Sequence, residues 1–300
     1  MRPENLKTKI FLDGGDPKET REIIALLGFL DGQTTNPTLV AKNPEAKARL
    51  ERGEKFTEQE IYDFYRGVVQ EISGMIPQGS VSIEVYSDFS TGSKDMFEQA
   101  REMNAWIPNA HIKYPTTAEW LKAAEQSIKE GIRVNMTLCF TQEQAAAVYA
   151  ATRGAVRGQV FVSPFVGRLD DRGENGMDLI KNILRMYRSK VELFTNQSSA
   201  LTMSHVEVLS ASVRTMDHFM YALALKSDII TAPGKIIREW AEKGMPLPVS
   251  DYEYNAGALK SVLYQDIDLA KPWPEYNIAH ELTDIGIEKF ATDWNGLIKK

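Results

Sequence analysis

Seven polar residues occur at or near the ends of short apolar segments that have the composition of β-strands. They are Asp13, Asn36, Glu84, Lys113, Asn135, Thr137 and Ser163. Charged side chains are almost never buried without a partner, because their removal from water is costly. Two carboxylates and a lysine in such segments therefore predict either an internal ion pair or a catalytic site.

Lys113 is the residue with the most specific chemistry in this set. A partly desolvated lysine presents a free amine that can form a Schiff base with a carbonyl compound. Asp13 and Glu84 would then supply general acid–base catalysis. The alternative is a structural role, in which Lys113 only neutralises one of these carboxylates.

Eight β-rich segments alternate with helical patterns along the chain, and several helices begin with a capping signal such as Asp16-Pro17 or the Thr57…Glu60 box. The strand candidates are Lys9–Asp13, Gln33–Asn36, Val81–Tyr86, His111–Tyr114, Arg133–Phe140, Gln159–Phe165, His205–Ser212 and Asp228–Ala232. Eight such repeats predict a single (β/α)8 TIM barrel of the α/β class. A doubly wound open sheet is the alternative, although no Gly-rich nucleotide-binding fingerprint follows any strand.

The carboxyl ends of the strands of a parallel barrel meet at one rim, where enzymes with this architecture place their active sites. The seven polar residues would therefore converge on that rim. Their convergence favours the catalytic interpretation of Lys113 over the structural one.

Two segments do not fit the repeat. Lys190–Ser204 lies where a single crossover should suffice, so an insertion or an irregular extra element is expected there. We expect residues 1–243 to form the barrel and residues 244–300 to form a C-terminal extension. Its closing helix has one apolar face, which would pack on the barrel or on a neighbouring subunit.

Composition excludes several classes of function. The net charge of −6 and the lack of a basic block argue against nucleic acid as a partner. The longest apolar run, Ile23–Leu30, is too short to span a membrane, and no secretory leader opens the chain. A single cysteine fits a reducing cytoplasm, and four scattered histidines make a metal site unexpected. The sequence leaves open whether the chain forms a homo-oligomer.

The motifs around these residues occur in the order found in the transaldolase family. They are FLDGGD (Phe11–Asp16), TTNPT (Thr34–Thr38), HIKYPTT (His111–Thr117), VNMTLCF (Val134–Phe140), SPFVGRLDD (Ser163–Asp171), ASVR (Ala211–Arg214) and LTDIGIEKFATDW (Leu282–Trp294). The chain thus resembles that family over most of its length. The resemblance implies a metal-free class I enzyme without a cofactor, which moves a dihydroxyacetone unit between sugar phosphates through a lysine Schiff base.

The resemblance also implies a role for each site residue. Lys113 would attack the ketose carbonyl, Asp13 would shuttle the proton of the C4 hydroxyl, and Glu84 and Thr137 would hold a water molecule. The remaining residues would bind the substrate: Asn36, Asn135, Ser163 and Phe165 the three-carbon unit, and Arg168, Ser212 and Arg214 the phosphate.

Other functions stay open at this point. A fructose 6-phosphate aldolase-like lyase is the nearest alternative. In the aldolase pattern, a glutamine stands at the position of Glu84 and a tyrosine at that of Phe165, so the resemblance favours transfer. A non-catalytic sugar-phosphate-binding barrel would be expected to lack Lys113, Asp13 or Glu84. Tyr114 and Val213 depart from the family pattern. The expected phosphate-binding residues Arg168, Ser212 and Arg214 would also bind a sulfonate. The terminal anion of the sugar is therefore left open.

Overall fold

The computed structural model describes residues 2–194, 203–249 and 251–299. Eight parallel strands pair in chain order, and the last pairs with the first to close the barrel. The strands are β1 (Lys9–Asp13), β2 (Gly32–Thr34), β3 (Ser80–Glu84), β4 (Ala110–Pro115), β5 (Val134–Cys139), β6 (Val160–Pro164), β7 (Val206–Ser210) and β8 (Ile229–Ala232). Closure confirms the predicted (β/α)8 barrel and rules out the open sheet.

The helices lie between the strands and after β8. They are α1 (Pro17–Leu27), α2 (Pro37–Ala41), α3 (Pro44–Glu51), α4 (Glu58–Met75), α5 (Ser93–Asn104), α6 (Ala118–Lys129), α7 (Gln142–Ala151), α8 (Val166–Asp170), α9 (Gly176–Phe194), α10 (Met216–Ala224), α11 (Gly234–Glu242) and α12 (Glu281–Leu297). Within the described ranges, none of them is long and apolar enough to cross a membrane.

The capping signals in the sequence act where they were expected. Asp16 accepts a hydrogen bond from the backbone of Lys18 at 2.9 Å, and Pro17 opens α1. Thr57 and Glu60 form both hydrogen bonds of the capping box at the start of α4. In both helices, a side-chain oxygen satisfies a free backbone N–H group of the first turn, which fixes the residue at which the helix begins.

Side chains alternate between the barrel interior and the helices, as the period of a strand requires. On β4, Lys113 points into the barrel, whereas its neighbour Tyr114 points outward and pairs with the Ser127 hydroxyl of α6 at 2.9 Å. The family departure at Tyr114 therefore lies outside the barrel interior.

The structure corrects several predicted boundaries. β2 ends at Thr34 rather than Asn36, because Asn36 caps α2 with its side chain, and β7 ends at Ser210 rather than Ser212. Of the predicted extra element 190–204, residues 190–194 continue α9. Residues 195–202 lie outside the described residues.

The C-terminal helix α12 packs against α2 and β5 of the same chain. Thr283 donates a hydrogen bond to the Leu138 carbonyl at 2.9 Å. Gly286 permits this close approach, because a Cβ atom there would lie 2.6 Å from a Leu138 methyl group and from Arg168 Nη1. The division of the chain at residue 243 stays a prediction.

Candidate active site

A lysine–carboxylate pair lies in the barrel interior at the carboxyl ends of β3 and β4. Parallel register places Glu84 beside Lys113, and their Oε2 and Nζ atoms are 3.0 Å apart. Both side chains are almost fully buried, with 1% and 4% of their surface exposed. Lys113 Nζ also donates to the Thr35 carbonyl at 3.0 Å. The amino group is thus held in one orientation away from bulk water.

Burial raises the pKa of Glu84, and the Lys113 ammonium offsets part of that rise. The pKa of Asp13 is raised for the same reason, with Lys113, a hydrogen bond from Thr34 and Lys42 opposing the rise. Thr34 donates to Asp13 Oδ1 at 2.7 Å. A raised pKa makes a carboxyl group a better proton acceptor once it is ionised, which suits general acid–base catalysis.

Polar side chains of β5 and β6 form the wall beside Lys113. Ser163 donates to Asn135 Oδ1 at 2.6 Å, and Asn135 donates to Ser82 at 3.0 Å. Thr137 Oγ1 is buried but has no hydrogen-bond partner among the described residues. A buried hydroxyl without a partner is costly, so a water molecule or a substrate oxygen is expected beside Thr137.

Arg168 supplies a positive charge in the wall of the same cavity. Its guanidinium lies 5.3 Å from the centre of the Phe165 ring and 5.5 Å from that of Phe290. It forms no hydrogen bond or ion pair with any other residue that the structure describes. Burial lowers the pKa of Arg168, yet an arginine stays protonated at neutral pH. An unpaired cation of this kind favours an anionic ligand.

Arg214 was expected at the cavity but is not among the described residues that line it. Its guanidinium forms a two-point ion pair with Asp171, with Nη2 2.7 Å from Oδ2. Ser212, in contrast, lines the cavity, and its backbone has a left-handed φ of 56°. Such a conformation is uncommon for a serine and is often found at ligand-binding loops.

The segment that carries Arg214 is linked to helix α8, which carries Arg168. His218 Nε2 lies 2.9 Å from Asp170 Oδ2, and the Arg214 N–H donates to His218 Nδ1 at 3.4 Å. His218 therefore connects the backbone of Arg214 to the helix that carries Arg168.

A cavity of about 260 Å³ joins these groups at the carboxyl-end rim. Of the predicted residues it is lined by Asp13, Asn36, Lys113, Thr137, Ser163, Phe165, Arg168 and Ser212. Glu84 and Asn135 contact the lining residues Lys113 and Ser163 from behind. The structure thus brings ten of the eleven predicted residues to one place. Arg214 does not line the cavity and pairs with Asp171 instead.

Sequence reasoning missed several residues that line the same cavity. They are Thr34, Thr38, Leu39, Lys42, Leu209, Ala211, Thr231, Lys289 and Phe290. Thr34 and Thr38 lie in the TTNPT motif, which could have indicated them. Lys289 and Phe290 come from α12 and could not have been found by reading strand ends.

A second and larger cavity, of about 480 Å³, opens at the opposite end of the barrel. The described residues that line it include none of the predicted site residues, and its Lys9 pairs with Glu207 at 3.0 Å. No group of three or more His, Cys, Asp or Glu side chains within residues 2–194, 203–249 and 251–299 is placed to hold a metal ion.

The fold and the site define a (β/α)8 barrel with a lysine-centred cavity at its carboxyl-end rim. A family profile described as Transaldolase/Fructose-6-phosphate aldolase matches residues 10–300. The chain belongs to this family, as its sequence motifs predicted.

Named relatives agree with this assignment. The chain is 33% identical to a "Probable transaldolase" from Dehalococcoides mccartyi, over 97% of this chain and 100% of that protein. It is 34% identical to another from Roseiflexus sp. (strain RS-1), over 95% and 96% of the two chains. A third, from Thermoanaerobacter sp. (strain X514), is 35% identical over 95% and 96%. The chain is therefore an enzyme of the transaldolase and aldolase kind.

Proposed function

We propose that this enzyme is a transaldolase that moves a dihydroxyacetone unit from a ketose phosphate to an aldose phosphate. The observation that carries the proposal is the buried Lys113–Glu84 pair, 3.0 Å apart, in a cavity that also holds the unpaired Arg168. A purely structural ion pair would need neither a cavity beside it nor a free cation across that cavity.

The first step is the formation of a Schiff base. Glu84 takes a proton from the Lys113 ammonium, and the neutral amine then attacks the C2 carbonyl of the ketose. The carbinolamine loses water to give an iminium ion. Glu84 supplies and recovers the protons of this exchange, for which its raised pKa is suited. The free hydroxyl of Thr137 holds the water molecule that leaves.

The second step is the cleavage of the C3–C4 bond. Asp13 removes the proton of the C4 hydroxyl, and the electron pair of the C3–C4 bond moves to the iminium group. An aldose phosphate leaves, and the three-carbon unit stays on Lys113 as an enamine. The same steps in reverse join that unit to the acceptor aldehyde. Asn36, Asn135 and Ser163 hold its hydroxyl groups.

The terminal anion of the sugar binds at Arg168 and Ser212. Arg168 has no partner of its own to give up, whereas Arg214 already binds Asp171 and acts through its charge and its contact with the Arg168 helix. A phosphate or a sulfonate has the geometry that a guanidinium fork recognises.

Transfer is favoured over release because the enamine is protected from protonation. Phe165, at the rim, has no hydroxyl that could donate a proton to the enamine. The intermediate therefore persists until an acceptor aldehyde arrives.

The proposal is tested by measuring acceptor-dependent transfer from fructose 6-phosphate in the wild type and in Arg168→Met. We expect the variant to lose at least about 2 kcal/mol of ketose phosphate binding, a rise in KM of about thirtyfold or more. Cleavage of unphosphorylated fructose should change little.

Arg172→Met is the matched control, because Arg172 follows just after α8 but is exposed and pairs with Glu281 at 2.8 Å. Product formation that needs no acceptor in the wild type would indicate a lyase instead. Equal losses on both substrates in Arg168→Met would show that Arg168 is structural.

A further inference from the structure

A buried hydrogen-bond chain connects helix α4 to the backbone around the catalytic pair. The hydroxyl of Tyr65 accepts the backbone N–H of Glu84 at 3.0 Å and lies 2.5 Å from Thr35 Oγ1. Thr35 Oγ1 donates to the Ser82 carbonyl at 2.7 Å. Tyr65 and Thr35 are both completely buried.

The direction of each hydrogen bond follows from these partners. The proton of Thr35 goes to Ser82, so the proton of Tyr65 goes to Thr35. The carbonyl of Thr35 in turn accepts from Lys113 Nζ at 3.0 Å. One phenol therefore fixes the backbone of Glu84 and also the residue that orients the Lys113 amine.

The ring of Tyr65 is held as firmly as its hydroxyl. Its centre lies 5.9 Å from those of Trp106 and Trp294, in edge-to-face contacts with both. Burial raises the pKa of Tyr65 above the ordinary value for tyrosine, so the phenol is a neutral donor at neutral pH. A rigid, uncharged anchor suits a positioning function.

We propose that Tyr65 is a positioning residue for Schiff-base formation, holding Lys113 and Glu84 in the geometry of attack through Thr35 and the Glu84 backbone. This inference rests on the proposed function. Without the phenol, the Glu84 N–H and the Thr35 hydroxyl lose a buried partner, and both reacting groups can shift. Displacements of about 1 Å at a reacting group can lower a rate about 100-fold.

The test is the rate at which borohydride traps the three-carbon unit on the enzyme during reaction with fructose 6-phosphate. We expect Tyr65→Phe to lower the trapping rate at saturating ketose about 10- to 100-fold. The half-saturating ketose concentration should stay unchanged, because the groups that bind the terminal anion do not contact Tyr65.

Tyr62→Phe is the matched control. Tyr62 lies on the same helix and contacts the same two tryptophans, but its hydroxyl donates to Gln99 at 3.2 Å and not to the site. We expect this variant to trap within about twofold of the wild type at a temperature at which both tyrosine variants are folded.

Three results would overturn the inference. The first is trapping by Tyr65→Phe at the wild-type rate. The second is a loss in both tyrosine variants that follows their unfolding temperatures. The third, if Tyr65→Phe does not fold, is normal trapping by Thr35→Val, which removes the acceptor of the phenol. An absence of any adduct in the wild type would contradict the proposed function itself.

Discussion

Asp13 shows how the chemistry of the site opposes the stability of the fold. Its carboxyl group lies in the cavity wall, where partial desolvation raises its pKa more than Lys113, Thr34 and Lys42 lower it. The folded state therefore binds more protons at Asp13 than the unfolded state does, between the ordinary pKa of 3.8 and the raised one. Stability is lost as the pH rises through the raised pKa.

Replacing Asp13 with asparagine should therefore stabilise the protein at neutral and alkaline pH. We expect Asp13→Asn to have a higher unfolding temperature than the wild type at about pH 8, with a smaller difference at about pH 4, and to have almost no transfer activity. Thermal unfolding of both proteins at the two pH values measures this. A variant less stable than the wild type at the higher pH would show that the carboxylate is net stabilising.

The sequence predicts the charged centre of the site but only part of its wall. Lys113, Asp13 and Glu84 are conspicuous because charge is rare in an apolar strand, and the strand period tells which side faces inward. The ion pair of Arg214 with Asp171 joins two loops that only barrel closure brings together. No local pattern carries that information, so Arg214 was expected in the cavity.

At the scale of elements, α12 is the helix whose contribution to the site was hardest to predict from the sequence. Its apolar face predicts a buried helix, which the structure confirms, but not the partner against which the helix packs. α12 places Lys289 and Phe290 in the cavity and Trp294 against Tyr65. Contacts of this kind depend on where a long connection ends, which sequence periodicity does not specify.

Gly286 sets how closely α12 approaches Arg168. A Cβ atom there would lie 2.6 Å from Arg168 Nη1, so Gly286→Ala should displace the guanidinium. Overpacking costs about 1–3 kcal/mol, and we expect a loss of binding of about 1 kcal/mol or more, or about fivefold or more in KM for a ketose phosphate.

Gly296→Ala is the matched control for this prediction, because it adds the same methyl group to the same helix with no atom within 4 Å. It should leave KM unchanged and stabilise the helix slightly. The two KM values decide the prediction. Equal KM values for both variants would show that α12 does not set the position of Arg168.

At the scale of the whole molecule, the two ends of the barrel hold different kinds of polar group. The carboxyl-end rim holds the unpaired Arg168 and the left-handed Ser212, whereas Lys9 and Glu207 at the opposite end form an ion pair. Glu207 is buried there and contacts Lys9 at 3.0 Å and Arg157 at 3.6 Å. This division is expected of (β/α)8 enzymes, in which one end reacts and the other end stabilises.

Glu207→Gln should therefore affect stability and not activity. Loss of hydrogen bonds to charged groups costs about 1.5–3 kcal/mol, so the free energy of unfolding in urea should fall by about that amount. The value of kcat/KM should not change at a temperature where both proteins are folded. A large fall in kcat/KM with stability intact would mean that the two ends are coupled.

A covalent bond between Lys113 and the substrate is the step on which the proposed reaction depends. Borohydride reduction in the presence of fructose 6-phosphate, followed by digestion and mass spectrometry, should place a reduced three-carbon unit on the peptide that contains Lys113. Lys113→Ala should give no adduct and no transfer. An adduct on a different lysine, or full turnover by Lys113→Ala, would contradict the central claim.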